Sequence, residues 1–126
     1  MTERRFFNLP GKPAGLPFSD AVLAGDTLYI SGRIGFEPGT MKLPAAPEAE
    51  ARNLLTQFQE VLQLAGMSMG NLVFLQIFSP EVALFDRFNA VYRGFFSADL
   101  PARAFIGSGP LLFNARFEMV GIAVRR

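Results

Sequence analysis

The chain has 126 residues, 50% of them hydrophobic and 18% charged, with a formal net charge of +1 at pH 7; this suits one domain with a real core and is too short for two. Cysteine and histidine are both absent, which excludes a disulfide framework, a zinc site of Cys and His ligands, a thiol nucleophile and a Ser-His-Asp triad. The only adjacent basic pairs are Arg4-Arg5 and Arg125-Arg126, so the clustered Lys and Arg that a nucleic-acid binder needs are missing.

Chemistry is left to carboxylates, arginines, Lys12 and Lys42, Tyr29 and Tyr92, hydroxyls and the backbone. The opening Met-Thr-Glu-Arg-Arg-Phe-Phe does not read as a signal peptide, and no run approaches a membrane span. A soluble cytoplasmic protein with no nucleic-acid or membrane partner is therefore expected. Fourteen Phe beside so few charges point to self-association.

In chain order, a short extra strand is possible at residues 5–7. Residues 8–19 hold Pro10, Pro13, Pro17, Gly11 and Gly15 and read as loop. Residues 21–24 and 27–31 flank Gly25-Asp26 as a hairpin. Residues 35–47 are again loop. From Glu48, the apolar positions Ala51, Leu54, Leu55, Phe58, Val61, Leu62 and Ala65 recur every three or four residues along one helix face, and Gly66 supplies the stop. Residues 72–78 form a nearly continuous apolar run, suited to a strand covered on both sides. A second helix carries Val82, Phe85, Phe88, Val91, Tyr92, Phe95 and Phe96, with Ser79 as its cap and Pro80 in its first turn. Residues 101–108 and 116–124 read as two final strands. The order is β-β-α-β-α-β-β, an α+β domain over residues 1–126 with two helices on one face of a mixed sheet. Gly107-Ser108-Gly109 is a turn and not a phosphate loop, because no helix and no Lys-Ser/Thr pair follow.

Four strings in this order carry a resemblance: Leu16-Pro17-Phe18-Ser19-Asp20-Ala21-Val22, Tyr29-Ile30-Ser31-Gly32-Arg33-Ile34, Phe88-Asn89-Ala90-Val91-Tyr92 through Phe96, and Pro101-Ala102-Arg103. The ending Gly121-Ile122-Ala123-Val124 also fits. Over nearly its whole length the chain resembles the reactive intermediate deaminase family, RidA or YjgF-like, also described as endoribonuclease L-PSP. The resemblance implies a chorismate-mutase-like fold, a homotrimer, and three pockets at the subunit interfaces. It implies no cofactor, and the sequence shows no metal-ligand pattern.

In that family the arginine equivalent to Arg103 binds a substrate carboxylate. A planar guanidinium suits the task, since it offers two parallel donors and stays charged when buried. The alternative is that Arg103 pairs with an acid across an interface. Family members hydrolyse enamines and imines such as 2-aminoacrylate to a 2-oxo acid and ammonia, with a glutamate on the last strand handling the proton of the attacking water. Aligning Glu118-Met119-Val120-Gly121-Ile122-Ala123 with the family ending places Val120 at that position. Glu118 lies two residues earlier on the same strand face, displaced by roughly 6 to 7 Å, and reads first as a strand-surface or interface charge.

The expected pocket also includes Phe18, where Tyr is common, Phe105, where Cys is frequent, and Arg33, where Gln is common, each with a bland reading as core or rim. Ser31 and Gly32 offer a hydroxyl and a backbone amide, or form a strand-end turn. Asn89 and Phe85 match positions near the family pocket, and helix spacing makes Phe85 a core residue first. Two readings follow: a trimeric imine or enamine deaminase using Arg103 and Glu118 on a small carboxylic or imino-acid metabolite, or a non-catalytic metabolite-binding or regulatory module using the same pocket. A ribonuclease would need a base and an acid near an RNA-binding groove, and with no His and no basic patch the chain does not read as one.

Overall fold

The computed structural model describes residues 3–126. Strands β1 (Arg4–Phe7), β2 (Ala21–Ala24) and β3 (Thr27–Ile34) are followed by helix α1 (Pro47–Leu64), β4 (Leu72–Ser79), helix α2 (Phe85–Tyr92), β5 (Ala102–Gly107) and β6 (Glu118–Val124). One six-stranded sheet runs in the order β1-β2-β3-β6-β4-β5. Only β4 and β5 pair in parallel, as the α2 crossover between them requires. The expected α+β architecture is what forms, with the extra first strand included.

Local chemistry explains the elements. The β2–β3 hairpin turns through Gly25 and Asp26, with Gly25 at φ +62, where a side chain would be strained. Helix α1 has Pro47 in its first turn, and Gly66 at φ +73 follows its end. Its periodic apolar residues are all buried, as their spacing predicts. They meet Leu75, Ile77 and Met119 from the sheet, Phe117 just before β6, and Phe88 from α2, in one core. Each such fully buried side chain contributes about 1.5–3 kcal/mol. Gly121 makes the close approach possible, since a Cβ there would lie 2.6 Å from Leu75 and 3.2 Å from Phe58.

Glu50 lies on the same buried helix face. Its carboxylate pairs with Arg116 at 2.7 Å and accepts the backbone N–H groups of Arg116 and Phe117. This buried acid ties α1 to the entrance of β6, and that arrangement compensates its charge.

The start of the second helix differs from expectation. Ser79 ends β4, and its hydroxyl reaches past Pro80 to accept the Glu81 N–H and donate to the Glu81 carbonyl, each at 3.1 Å. A 3₁₀ turn, Val82–Leu84, then intervenes before α2 begins at Phe85, with no side-chain cap. A serine hydroxyl reaches a nearby N–H in a tight turn as readily as in a cap, so Ser79 serves the turn and does not cap α2.

The sheet face away from the helices is apolar. Phe6, Val22, Tyr29, Ile122, Phe74 and Ala102 stand in register across all six strands. In the single chain Phe6 is 63% exposed and Tyr29 52%. The expectation that the 72–78 run is covered on both sides thus holds only for its helix face here. Among the described residues no helix is long and apolar enough to cross a membrane.

Candidate functional site

Strand β5 sets Arg103 opposite Leu75, a fully buried residue, so the arginine points to the helix layer. Its guanidinium carbon lies 4.6 Å from the centroid of the Tyr92 ring and 5.7 Å from that of Phe85. Phe105, two residues along the same strand face, meets Phe85 edge to face at 5.3 Å and touches Phe88 at 5.7 Å. Asn89 follows Phe85 by one helical turn. Arg103, Phe85, Asn89 and Phe105 are therefore brought together at one end of the sheet, between α2 and β5.

None of the ion pairs among the described residues includes Arg103. A half-buried guanidinium with aromatic neighbours and no carboxylate is receptive to an anion. Two buried polar atoms on α2, Asn89 Oδ1 and the Tyr92 hydroxyl, also lack hydrogen-bond partners. Burial pushes the Tyr92 phenol above its ordinary range, while the adjacent Arg103 charge pulls it down. The guanidinium thus lies near the phenol oxygen, although no hydrogen bond of ordinary geometry joins them. Tyr92 is the residue that sequence reading missed at this end: its spacing marks it as core, and only the packing of β5 beside α2 brings a cation onto its ring.

The opposite sheet face holds the other group. Glu118 opens β6, paired with Ile34 on β3 and Phe78 on β4. Its carboxylate packs directly on Gly32, so that a Cβ at position 32 would overlap Glu118 Oε2. No ion pair among the described residues involves Glu118 either. The residue before Gly32, Ser31, donates its hydroxyl to the Ser19 carbonyl at 2.6 Å and its N–H to the Asp20 carbonyl. That ties the bulged part of β3 to the loop carrying Phe18, which is exposed. Lys12 lies over the Phe18 ring at 4.7 Å and donates to the Phe18 carbonyl. Phe18, Ser31, Gly32 and Glu118 thus gather at one end of the sheet.

Arg33 is engaged elsewhere. It donates to Asp20 at 2.9 Å and to Gln57 at 3.0 Å, and the buried Asp20 also accepts the Leu9 N–H at 2.8 Å. Its charge is compensated and it holds the 8–19 loop to the helix layer. Val120 pairs with Gln76 on β4 and lies opposite the bulged Ser31–Gly32 part of β3, on the same sheet face as Glu118, but it is the Glu118 carboxylate that packs on Gly32.

Within one chain Arg103 and Glu118 cannot meet. Their β4 register partners are Leu75 and Phe78, and the intervening strands put their Cα atoms roughly 14 Å apart, with side chains on opposite faces. A cleft of about 530 Å³ is lined by Pro44, Glu81, Phe113 and Arg116 among others, away from both groups. Its Arg116 is already committed to Glu50 and to the carbonyls of Pro44 and Ala45.

Comparison with known proteins adds to this geometry. The family model described as Endoribonuclease L-PSP matches residues 11–125. The chain is 35% identical over 124 residues to the 2-iminobutanoate/2-iminopropanoate deaminase of Capra hircus, covering 97% of this chain and 90% of the relative. It is 33% identical to the protein of that name from Dermatophagoides farinae, covering 98% of each. The crystal structure of the YjgF gene product from E. coli superposes with a TM-score of 0.89 at 30% identity, covering 97% of this chain and 99% of that one. With this fold, these matches and the motif residues gathered at the two sheet ends, the chain belongs to the Endoribonuclease L-PSP family, the family of the RidA and YjgF proteins.

Proposed function

We propose that the protein hydrolyses small 2-imino acids and their enamine tautomers to 2-oxo acids and ammonia, in a pocket formed between neighbouring copies of a homotrimer. The observation that carries this reading is the unpaired, half-buried Arg103 guanidinium among aromatic rings. The deaminase names of the relatives support it. The bare apolar sheet face supports self-association, since a sheet surface meant for water alternates in polar residues.

One copy offers Arg103, Asn89, Phe85 and Phe105; its neighbour offers Glu118, Gly32, Ser31 and Phe18. Arg103 holds the substrate carboxylate by two parallel hydrogen bonds. Glu118 takes a proton from water as its oxygen attacks the C=N carbon, and returns it to the nitrogen. The carbinolamine hydroxyl then gives its proton, through the same carboxylate, to the nitrogen as the C–N bond breaks and the C=O bond forms, which releases ammonia and leaves the 2-oxo acid. Phe18, Phe85 and Phe105 form apolar walls that exclude bulk water and strengthen both charged contacts. Glu118 takes the proton-handling role in place of position 120 because its carboxylate rests on the Gly32 backbone, whereas Val120 has no titratable group.

The test is 2-iminobutanoate hydrolysis, with the imine generated in situ, by wild type beside Arg103→Ala. The expected loss in kcat/KM for the variant is on the order of 10²-fold, from losing two charge-assisted hydrogen bonds. A wild-type rate no faster than buffer at high protein concentration contradicts the proposal. The apolar Val120 favours a second reading, binding without turnover; it predicts thermal stabilisation by 2-oxo acids, lost in Arg103→Ala, with no hydrolysis.

A further inference from the structure

The Arg103 side chain ends in a guanidinium that no acid among the described residues anchors, and a long arginine left free loses rotamer entropy when it closes on a ligand. The structure holds this group in another way. Its guanidinium carbon stands 4.6 Å from the Tyr92 ring centroid. The ring is itself fixed by Phe96 at 4.7 Å and Phe88 at 5.9 Å, and Tyr92 is only 4% exposed. Its hydroxyl is buried without a partner, on the same ring that the guanidinium faces. A buried phenol oxygen left without any hydrogen bond is costly, so a small movement of the guanidinium that satisfies it is favoured.

We propose that Tyr92 is the positioning residue of Arg103: its ring face carries the guanidinium, and its phenol oxygen accepts a guanidinium N–H when the remaining donors engage a carboxylate. This rests on the reading of Arg103 as a carboxylate clamp. Tyr92 touches Arg103 and not the reacting atoms, so it sets carboxylate affinity and not the rate of C=N hydrolysis. The neutral phenol that burial favours retains both the oxygen lone pairs and the ring face that a cation needs.

The test uses the full-length protein and 2-oxobutanoate as the probe, with affinity measured calorimetrically for wild type, Tyr92→Phe, Tyr92→Leu and Arg103→Ala, beside 2-iminobutanoate kinetics. Tyr92→Phe keeps the ring and loses the oxygen, and weakens 2-oxobutanoate binding about three- to tenfold. Tyr92→Leu loses both and weakens it on the order of 10- to 100-fold. KM rises in parallel, while kcat stays within about twofold of wild type. A purely structural tyrosine would lower the melting temperature and leave KM unmoved. If Tyr92→Leu does not fold, Tyr92→Phe decides alone. Wild-type affinity in Tyr92→Phe overturns the proposal. If instead wild type and Arg103→Ala bind the probe equally, or neither binds it, the clamp reading itself falls and the role of Tyr92 falls with it.

Discussion

The carboxylate of Glu118 occupies the space that any side chain at position 32 would need. Strand β3 carries a register shift between Ile30 and Arg33, and this brings the backbone of Gly32 under the first residue of β6. Gly32 does not sit at a positive φ, so glycine is required there by the acid and not by the chain.

Gly32→Ala therefore separates site geometry from folding. The added methyl meets the flexible end of Glu118, which swings away at a cost below about 1 kcal/mol in stability. Turnover falls by on the order of 10- to 100-fold, because a displaced base loses its alignment with the water. Steady-state kinetics beside a thermal melt measure both quantities.

Glu118→Gln removes the base while keeping its shape, and reduces kcat by on the order of 10²- to 10⁴-fold with little change in melting. Val120→Glu brings no gain, because the space on Gly32 is already taken by the Glu118 carboxylate. Activity gained in Val120→Glu, with Glu118→Gln indifferent, would move the acid to position 120.

Asp20 is 3% exposed and holds Arg33, Leu9 and, at 3.9 Å, Lys12. Asp20→Ala leaves the Arg33 guanidinium and the Leu9 N–H without their acceptor, and destabilises the fold by about 2–4 kcal/mol. Urea denaturation reads this directly. The Phe18 loop loosens with it, so a larger KM accompanies the lower stability.

The Tyr92 phenol gives the protein an alkaline limit. Its folded pKa lies above the ordinary value of 10.0 because burial disfavours the phenolate. The stabilising contribution is complete below the unfolded pKa and is lost as pH rises through the folded one. Stability therefore declines above about pH 10, and Tyr92→Phe shows a shallower decline. Neutralising the cation by Arg103→Leu pushes the phenol pKa higher still, which a difference absorbance titration of the phenolate detects.

Much of this was legible in the sequence, for physical reasons. The 3.6-residue apolar spacing from Ala51 to Ala65 is a local signal, and so is Gly25-Asp26 between two short runs; both elements form as expected. The motif residues Arg103, Asn89, Ser31 and Gly32 could be named because their strings are local too. Their grouping could not. Which face of β5 carries Arg103 depends on the register with Leu75, and the contact of Glu118 with Gly32 depends on a bulge in β3. Arg33 reads as a free cation until Asp20 and Gln57 are seen beside it. Tyr92 reads as core for the same reason: a cation–π pair between helix and strand leaves no periodic trace.

The central claim is that Arg103 of one copy and Glu118 of its neighbour make one site. The most direct test mixes two inactive variants, Arg103→Ala and Glu118→Gln, by joint refolding at equal amounts. If the site spans two copies, a mixed interface restores one intact pair, and random assembly returns about a quarter of wild-type imine hydrolysis. If the mixture stays as inactive as either variant alone while mixed oligomers are present, both groups serve the same chain and the account is contradicted.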